Sequence, residues 1–149
     1  MTQEDKELLL KDLCARLPYG VKMNHIANND NEPITLIGIA KDIITLEGNG
    51  GYSTENVEEF KPYLFPLSSM TEEQSMELFK LFGISLVDSI GTDYIKINEC
   101  TGITFFLNKG FDVETHLDKL IDWLHKNHFD YRGLIEKSLA LDATGLNIY

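Results

Sequence analysis

Hydrophobic positions near the N-terminus follow a helical period. Leu10, Leu13, Cys14 and Leu17 recur at i, i+3, i+4 and i+7 behind a Thr2-x-x-Asp5 start, which predicts an amphipathic helix from about Thr2 to about Arg16. Pro18 and Gly20 end it. The pattern then becomes β-branched and interrupted: residues 21–27, 34–39 and 43–47 predict strands, with the polar run 28–31 between the first two. Lys41-Asp42 leaves room only for a tight hairpin. Gly48-Asn49-Gly50-Gly51 makes a second turn, after which Tyr52 and Ser53 add a short fourth strand and residues 54–60 allow one helical turn.

Pro62 and Pro66 force an extended passage through Lys-Pro-Tyr-Leu-Phe-Pro (61–66), the natural joint of the chain. Thr71-Glu72-Glu73-Gln74 is a capping box in sequence form, and its helix should end at Gly83. Residues 84–88, 94–98 and 103–107 predict three more strands. Asn108-Lys109-Gly110 then turns the chain into a last helix, from Asp112 as N-cap to about His128. The connections are mostly too short for parallel crossovers, so the predicted class is α+β with antiparallel sheet and N-terminal, central and C-terminal helices. The N-terminal strands suit an SH3-like half-barrel, and a single sheet of six or seven strands suits the pattern equally. The chain reads as a single domain over 1–149, or as two lobes joined near 61–70.

Composition narrows the function classes. With 149 residues, 43% apolar and 25% charged, the chain has material for one sizeable core. It carries 13 Lys and Arg against 24 Asp and Glu, a net charge of −11, and only Arg16 and Arg132 are arginines, which argues against a nucleic-acid-binding surface. There is no apolar run of about eighteen residues and no signal-peptide plan at the N-terminus, so a cytoplasmic protein without membrane contact is expected. Cys14 and Cys100 form no CxxC pair, and a reducing compartment fits them.

The last helix holds most of the versatile chemistry. On a wheel, Val113, Leu117, Leu120, Leu124 and His128 make its buried stripe; Glu114, Asp118, Asp122 and His125 share one flank, and His116 and Trp123 lie on the other. Asp118, Asp122 and His125 have the donor types for a divalent cation, but without a ligand spacing such as HExxH a solvated acidic flank is the simpler account, and neither metal nor cofactor is expected. His128, Asp130 and Arg132 are the candidate ligand-binding residues, because an Asp can orient an imidazole and an Arg can clamp an anion. The competing account is a helix-exit clamp, in which Phe129 and Tyr131 bury their rings, Asp130 caps the next turn and Arg132 pairs with a carboxylate.

Other groups have plainer readings. His25 should be buried with Val21 and Met23, and Cys14 should sit in the apolar stripe of the first helix. Cys100 lies beside Glu99, which would blunt a thiolate. The 48–51 turn opens no helix and ends in no Lys-Ser/Thr, so it is a hairpin and not a phosphate loop. Tyr63, Phe65 and Met70, set in an acidic rim, are the candidate partner-binding residues, and packing of the same side chains onto the core is the alternative.

Three segments, LLLKDLCARLPYGV (8–21), KPYLFPLSSMTEE (61–73) and HFDYRGLIEKSLALDATGLNIY (128–149), resemble a family of small proteins of unknown function encoded by gut anaerobes of the Bacteroides type and by their phages and mobile elements. They cover roughly a third of the chain. Relatives often carry a basic residue where Phe65 stands here. The resemblance implies a bacterial cytoplasm and a mobile-element origin, and it implies no activity. The reading that follows is a non-enzymatic accessory protein that contacts another protein. A small enzyme built on His128, Asp130 and Arg132, and an acidic mimic of nucleic acid, are the alternatives.

Overall fold

The computed structural model describes residues 1–27, 32–81, 94–98, 102–106 and 117–149. In chain order the elements are α1 (Gln3–Arg16), β1 (Lys22–His25), β2 (Ile34–Ala40), β3 (Ile43–Gly48), β4 (Gly51–Asn56), β5 (Phe60–Pro66), α2 (Glu72–Leu81), β6 (Tyr94–Asn98), β7 (Gly102–Phe106), α3 (Leu117–Lys126), β8 (Phe129–Asp130) and β9 (Leu141–Asp142). The fold is α+β. Two compact units share the chain: Met1–Phe65 with Arg132–Tyr149, and Pro66–Tyr131. The predicted strand at 84–88, the stops at Gly83 and Asp112, and Cys100, Val113, Glu114 and His116 lie outside the described residues.

In the first unit, Thr2 caps α1: its hydroxyl accepts from the Asp5 amide at 3.1 Å and donates to the Asp5 carboxylate at 2.6 Å. That bond holds the Asp5 carboxyl below its ordinary range. After Arg16 a 3-10 turn, Leu17–Tyr19, closes on Gly20, whose φ of 65° is the left-handed backbone that glycine adopts without strain. The buried stripe of α1 is Leu9, Asp12, Leu13 and Arg16. This corrects the wheel read from hydropathy: Leu10 and Leu17 are half-buried and Cys14 is exposed. A hydropathy scale scores Asp12 and Arg16 as outward-facing, but each neutralises the other one helical turn away, so both go inside.

The sheet of this unit runs β4-β3-β2-β1-β5, antiparallel throughout, with β9 joining β5 in parallel. The meander returns its fifth strand to its first through a 3-10 turn, Val57–Glu59. The parallel pair departs from an all-antiparallel expectation. It forms because the whole second unit intervenes between β5 and β9, which is ample chain for a parallel return. Asn49 and Gly50 form the β3–β4 loop, Gly48 facing Gly51, so the 48–51 segment is a hairpin. Leu9 and Leu13 of α1, Met23, Leu36, Ile44, Leu46 and Leu64 of the sheet, and Leu134 and Leu139 of the C-terminal segment make one core. Each fully buried leucine contributes about 1.5–3 kcal/mol relative to exposure.

The extended passage at 61–66 is a paired strand. Pro62 faces Met23 on β1, and Tyr63 and Leu64 face Leu141 and Asp142 on β9. Proline forfeits one ladder hydrogen bond, yet its φ suits an extended chain, and burial of Pro62, Tyr63 and Leu64 outweighs that loss.

In the second unit, α2 starts on the predicted capping box. The Gln74 amide donates to the Thr71 hydroxyl at 3.2 Å, and the Thr71 amide donates to the Gln74 side chain at 2.9 Å. Helix α2 packs on α3, and β6 pairs with β7 as an antiparallel hairpin. Leu78, Leu120 and Leu124 are buried, and Trp123 stacks on Phe129 with centroids 5.6 Å apart. Among the described residues no helix is long and apolar enough to cross a membrane.

Candidate functional site

The predicted ligand-binding residues fall in two different units. His128 and Asp130 belong to the second and Arg132 to the first. Helix α3 ends at Lys126, and the His128 amide donates back to the His125 carbonyl at 3.1 Å while its own φ is 57°. That left-handed backbone is how helices stop, and histidine tolerates it better than most residues with a Cβ. His128, Phe129 and Asp130 are all buried, and Phe129 and Asp130 form the short strand β8. Asp130 therefore lies in a strand, where the sequence reading placed a helical cap.

Arg132 pairs with a carboxylate, and the carboxylate is Asp12. The guanidinium Nε lies 3.2 Å from Asp12 Oδ1, while Arg16 grips the same carboxylate through Nε at 2.6 Å and Nη2 at 3.2 Å. Both arginines of the chain thus converge on one aspartate, and the side chains of Asp12 and Arg16 are wholly buried. Sequence reasoning missed this cluster. The signal was present in the Asp12-x-x-x-Arg16 spacing, which lies on the same helix face as Leu9 and Leu13.

The remaining candidates also changed place. His125, expected on a solvated flank, is buried and shares a 2.9 Å hydrogen bond with the Tyr131 hydroxyl, whereas Asp118 and Asp122 stay exposed. Trp123 is buried as well. The correction has one cause: an imidazole with a phenol partner six residues on can enter a core that hydropathy alone would deny it. Among the described residues no group of three or more His, Cys, Asp or Glu side chains could hold a metal ion. His25 is half-buried, its ring edge-on to Phe60 at 4.8 Å and its Nδ1 accepting from the Ala27 amide.

Tyr63 is buried in β5, and Phe65 and Met70 are half-buried. The hydroxyl of Tyr149 donates to the Tyr63 carbonyl at 2.7 Å and accepts from the Lys22 amide at 3.1 Å, and its ring lies 5.8 Å from Phe65. Burial raises the Tyr149 pKa well above the ordinary tyrosine range, and raises that of Tyr63 in the same direction. An open groove of about 510 Å³ runs between this C-terminal tail and β5, lined by Pro33, Tyr63, Leu141, Asp142, Leu146 and Ile148.

At the opposite border of the sheet, among the described residues, strand β4 pairs with β3 alone, and its first four residues are exposed, Tyr52 by 74%. Ile43 of β3 is also exposed and shares a face with Tyr52, since the register sets Tyr52 opposite Glu47 and Asn56 opposite Ile43. Sequence reading assigned strand only to Tyr52 and Ser53 and so missed the length of this edge. The available signal was Thr54, a β-branched residue directly continuing Tyr52-Ser53. No protein-family model, curated protein or solved structure matches this chain.

Proposed function

We propose that the protein is a non-enzymatic accessory protein that works by contacting another protein, and that the β3–β4 border of the first unit is its contact surface. One observation carries the reading: a six-residue strand that among the described residues pairs on one side only, with β3, and displays Tyr52. Natural edges are commonly blunted by lysine, proline or a bulge, and β4 has none of these among its residues or in its register with β3; its one charge is Glu55. Tyrosine at such a position brings a large apolar face at low entropic cost, as binding surfaces commonly use it. The resemblance of three segments to small proteins of gut anaerobes and their phages fits an accessory role in a bacterial cytoplasm. The enzyme reading lacks support of this kind, because Arg132 is engaged by Asp12 and His128 makes a helix stop.

The test is a photo-crosslinking amino acid placed at Tyr52 and, separately, at exposed Lys11 on α1, in the full chain expressed in the cell that encodes it. The expected result is a discrete adduct with another protein from position 52 and none from position 11. Equal labelling at both positions, or none at 52, overturns the reading.

A further inference from the structure

The groove beside the C-terminal tail belongs wholly to the first unit and lies at the β5 border of its sheet, away from β4. Alternation along β5 sends Leu64 into the core and Tyr63 to the other face, where Leu141 is its register partner on β9. Residues after β9 form the facing wall, and that wall is held at two points. The Ala143 amide donates to the Leu64 carbonyl at 2.8 Å, and the Tyr149 hydroxyl donates to the Tyr63 carbonyl at 2.7 Å. Between them the Leu146 amide donates to the Ala143 carbonyl at 3.0 Å, in a turn that Gly145 closes with a φ of 75°. The groove is therefore preformed, and its volume of about 510 Å³ suits a small molecule.

Its lining combines apolar walls with two unused polar groups. Pro33, Leu141, Leu146 and Ile148 supply the walls, and Leu146 is 49% exposed there. Tyr63 is only 3% exposed, yet among the described residues its hydroxyl makes no hydrogen bond, since the Tyr149 contact uses its carbonyl. A buried phenol without a partner is a group that a ligand can satisfy. Asp142 is the one charged residue of the lining. Its Oδ1 accepts from the Thr144 amide at 2.8 Å, and its Oδ2 has no partner among the described residues. With no Lys, Arg or His among the described lining residues and a net charge of −11 on the chain, the site favours a cation over an anion. We infer that this groove binds a small hydrophobic amine, its apolar part against Pro33, Leu146 and Ile148 and its ammonium donating to Asp142, with the Tyr63 hydroxyl as the second polar contact.

Tryptamine is the probe, and tryptophol and indolepropionate are its counterparts, with the same ring and arm but a hydroxyl or a carboxylate in place of the ammonium. Binding is followed by backbone amide shifts of the labelled full chain. The expected result is saturable shifts at residues 141–148 and at Tyr63, with tryptamine binding tightest and indolepropionate weakest. Asp142 is exposed, so the fold does not depend on its charge, and Asp142→Asn keeps the Oδ1 acceptor of the turn. That variant should weaken tryptamine about threefold to fivefold at low salt, less at high salt, and leave tryptophol unchanged. Tyr63→Phe breaks no hydrogen bond within the protein, so it should leave the melting temperature unchanged while weakening tryptamine about threefold. A Tyr63→Phe protein that melts several degrees lower would show that the hydroxyl is already satisfied and would sink the inference. So would the absence of saturable shifts with tryptamine, shifts centred elsewhere, indolepropionate binding as tightly as tryptamine, or unchanged tryptamine affinity in Asp142→Asn.

Discussion

Among the described residues, the polar contacts of the two units reach over very different distances along the chain. In the second unit the partners are local: His125 meets Tyr131 six residues on, and the Asn127 side chain donates to the Trp123 carbonyl four residues back. In the first unit the Asp12–Arg16 pair is local too, but other links are remote. Tyr149 links to Tyr63 across 86 residues and to Lys22 across 127, and Arg132 returns to Asp12 on the first helix. The difference teaches that the first unit is a closed circuit. Its core and its polar contacts both need the N-terminal and C-terminal segments together, so its stability should respond to changes at either end of the chain.

The strongest way to break this comparison is at the shared carboxylate. Asp12→Ala removes the partner of two guanidinium groups and should cost about 3–5 kcal/mol in denaturant unfolding. Arg132→Ala leaves the bidentate Arg16 pair in place and should cost less, about 1–3 kcal/mol. An Asp12→Ala cost no larger than that of Arg132→Ala would mean that the cluster does not hold the circuit closed.

Leu120→Ala probes the local unit. A buried leucine on α3 leaves a cavity and should cost about 2–5 kcal/mol. If amide exchange shows the loss confined to residues 66–131, the units are energetically separate. Loss spread equally over the sheet of the first unit would merge them.

Alkaline unfolding sharpens the remote side. The Tyr149 pKa is raised in the folded protein from its ordinary value of 10.0, because burial disfavours the phenolate. Folded-state binding of that proton is therefore the stronger. The stability it contributes is complete below about pH 10 and is lost as pH climbs through the folded value. Tyr149→Phe should flatten the decline of melting temperature above pH 10 while costing about 0.5–1.5 kcal/mol at neutral pH. An unchanged alkaline slope would place the hydroxyl in water.

The smallest effect is expected at Cys14. Its exposure on α1 predicts a change within about 0.5 kcal/mol for Cys14→Ser, and rapid labelling of the native thiol. A cost of about 2 kcal/mol would restore the stripe read from hydropathy.

Local rules made much of the architecture legible. The Thr2 and Thr71 caps, the tight hairpin at Lys41-Asp42, the turn at 48–51 and strands at 94–98 follow from groups that interact within a few residues, so the sequence by itself determined them. What needed the tertiary structure were the faces and the partners. Helix α1 turned because Asp12 and Arg16 cancel each other's cost of burial, and Arg132 joins them from the far end of the chain. Residues 61–66 became an inner strand because β1 and β9 flank them, where the two prolines by themselves fix only an extended chain. His125 went inside because Tyr131 meets it there. That β4 pairs on one side only among the described residues is likewise a property of what lies beside the strand, and which groups a strand leaves unpaired is decided by its neighbours in space, since its own residues specify only that it is extended.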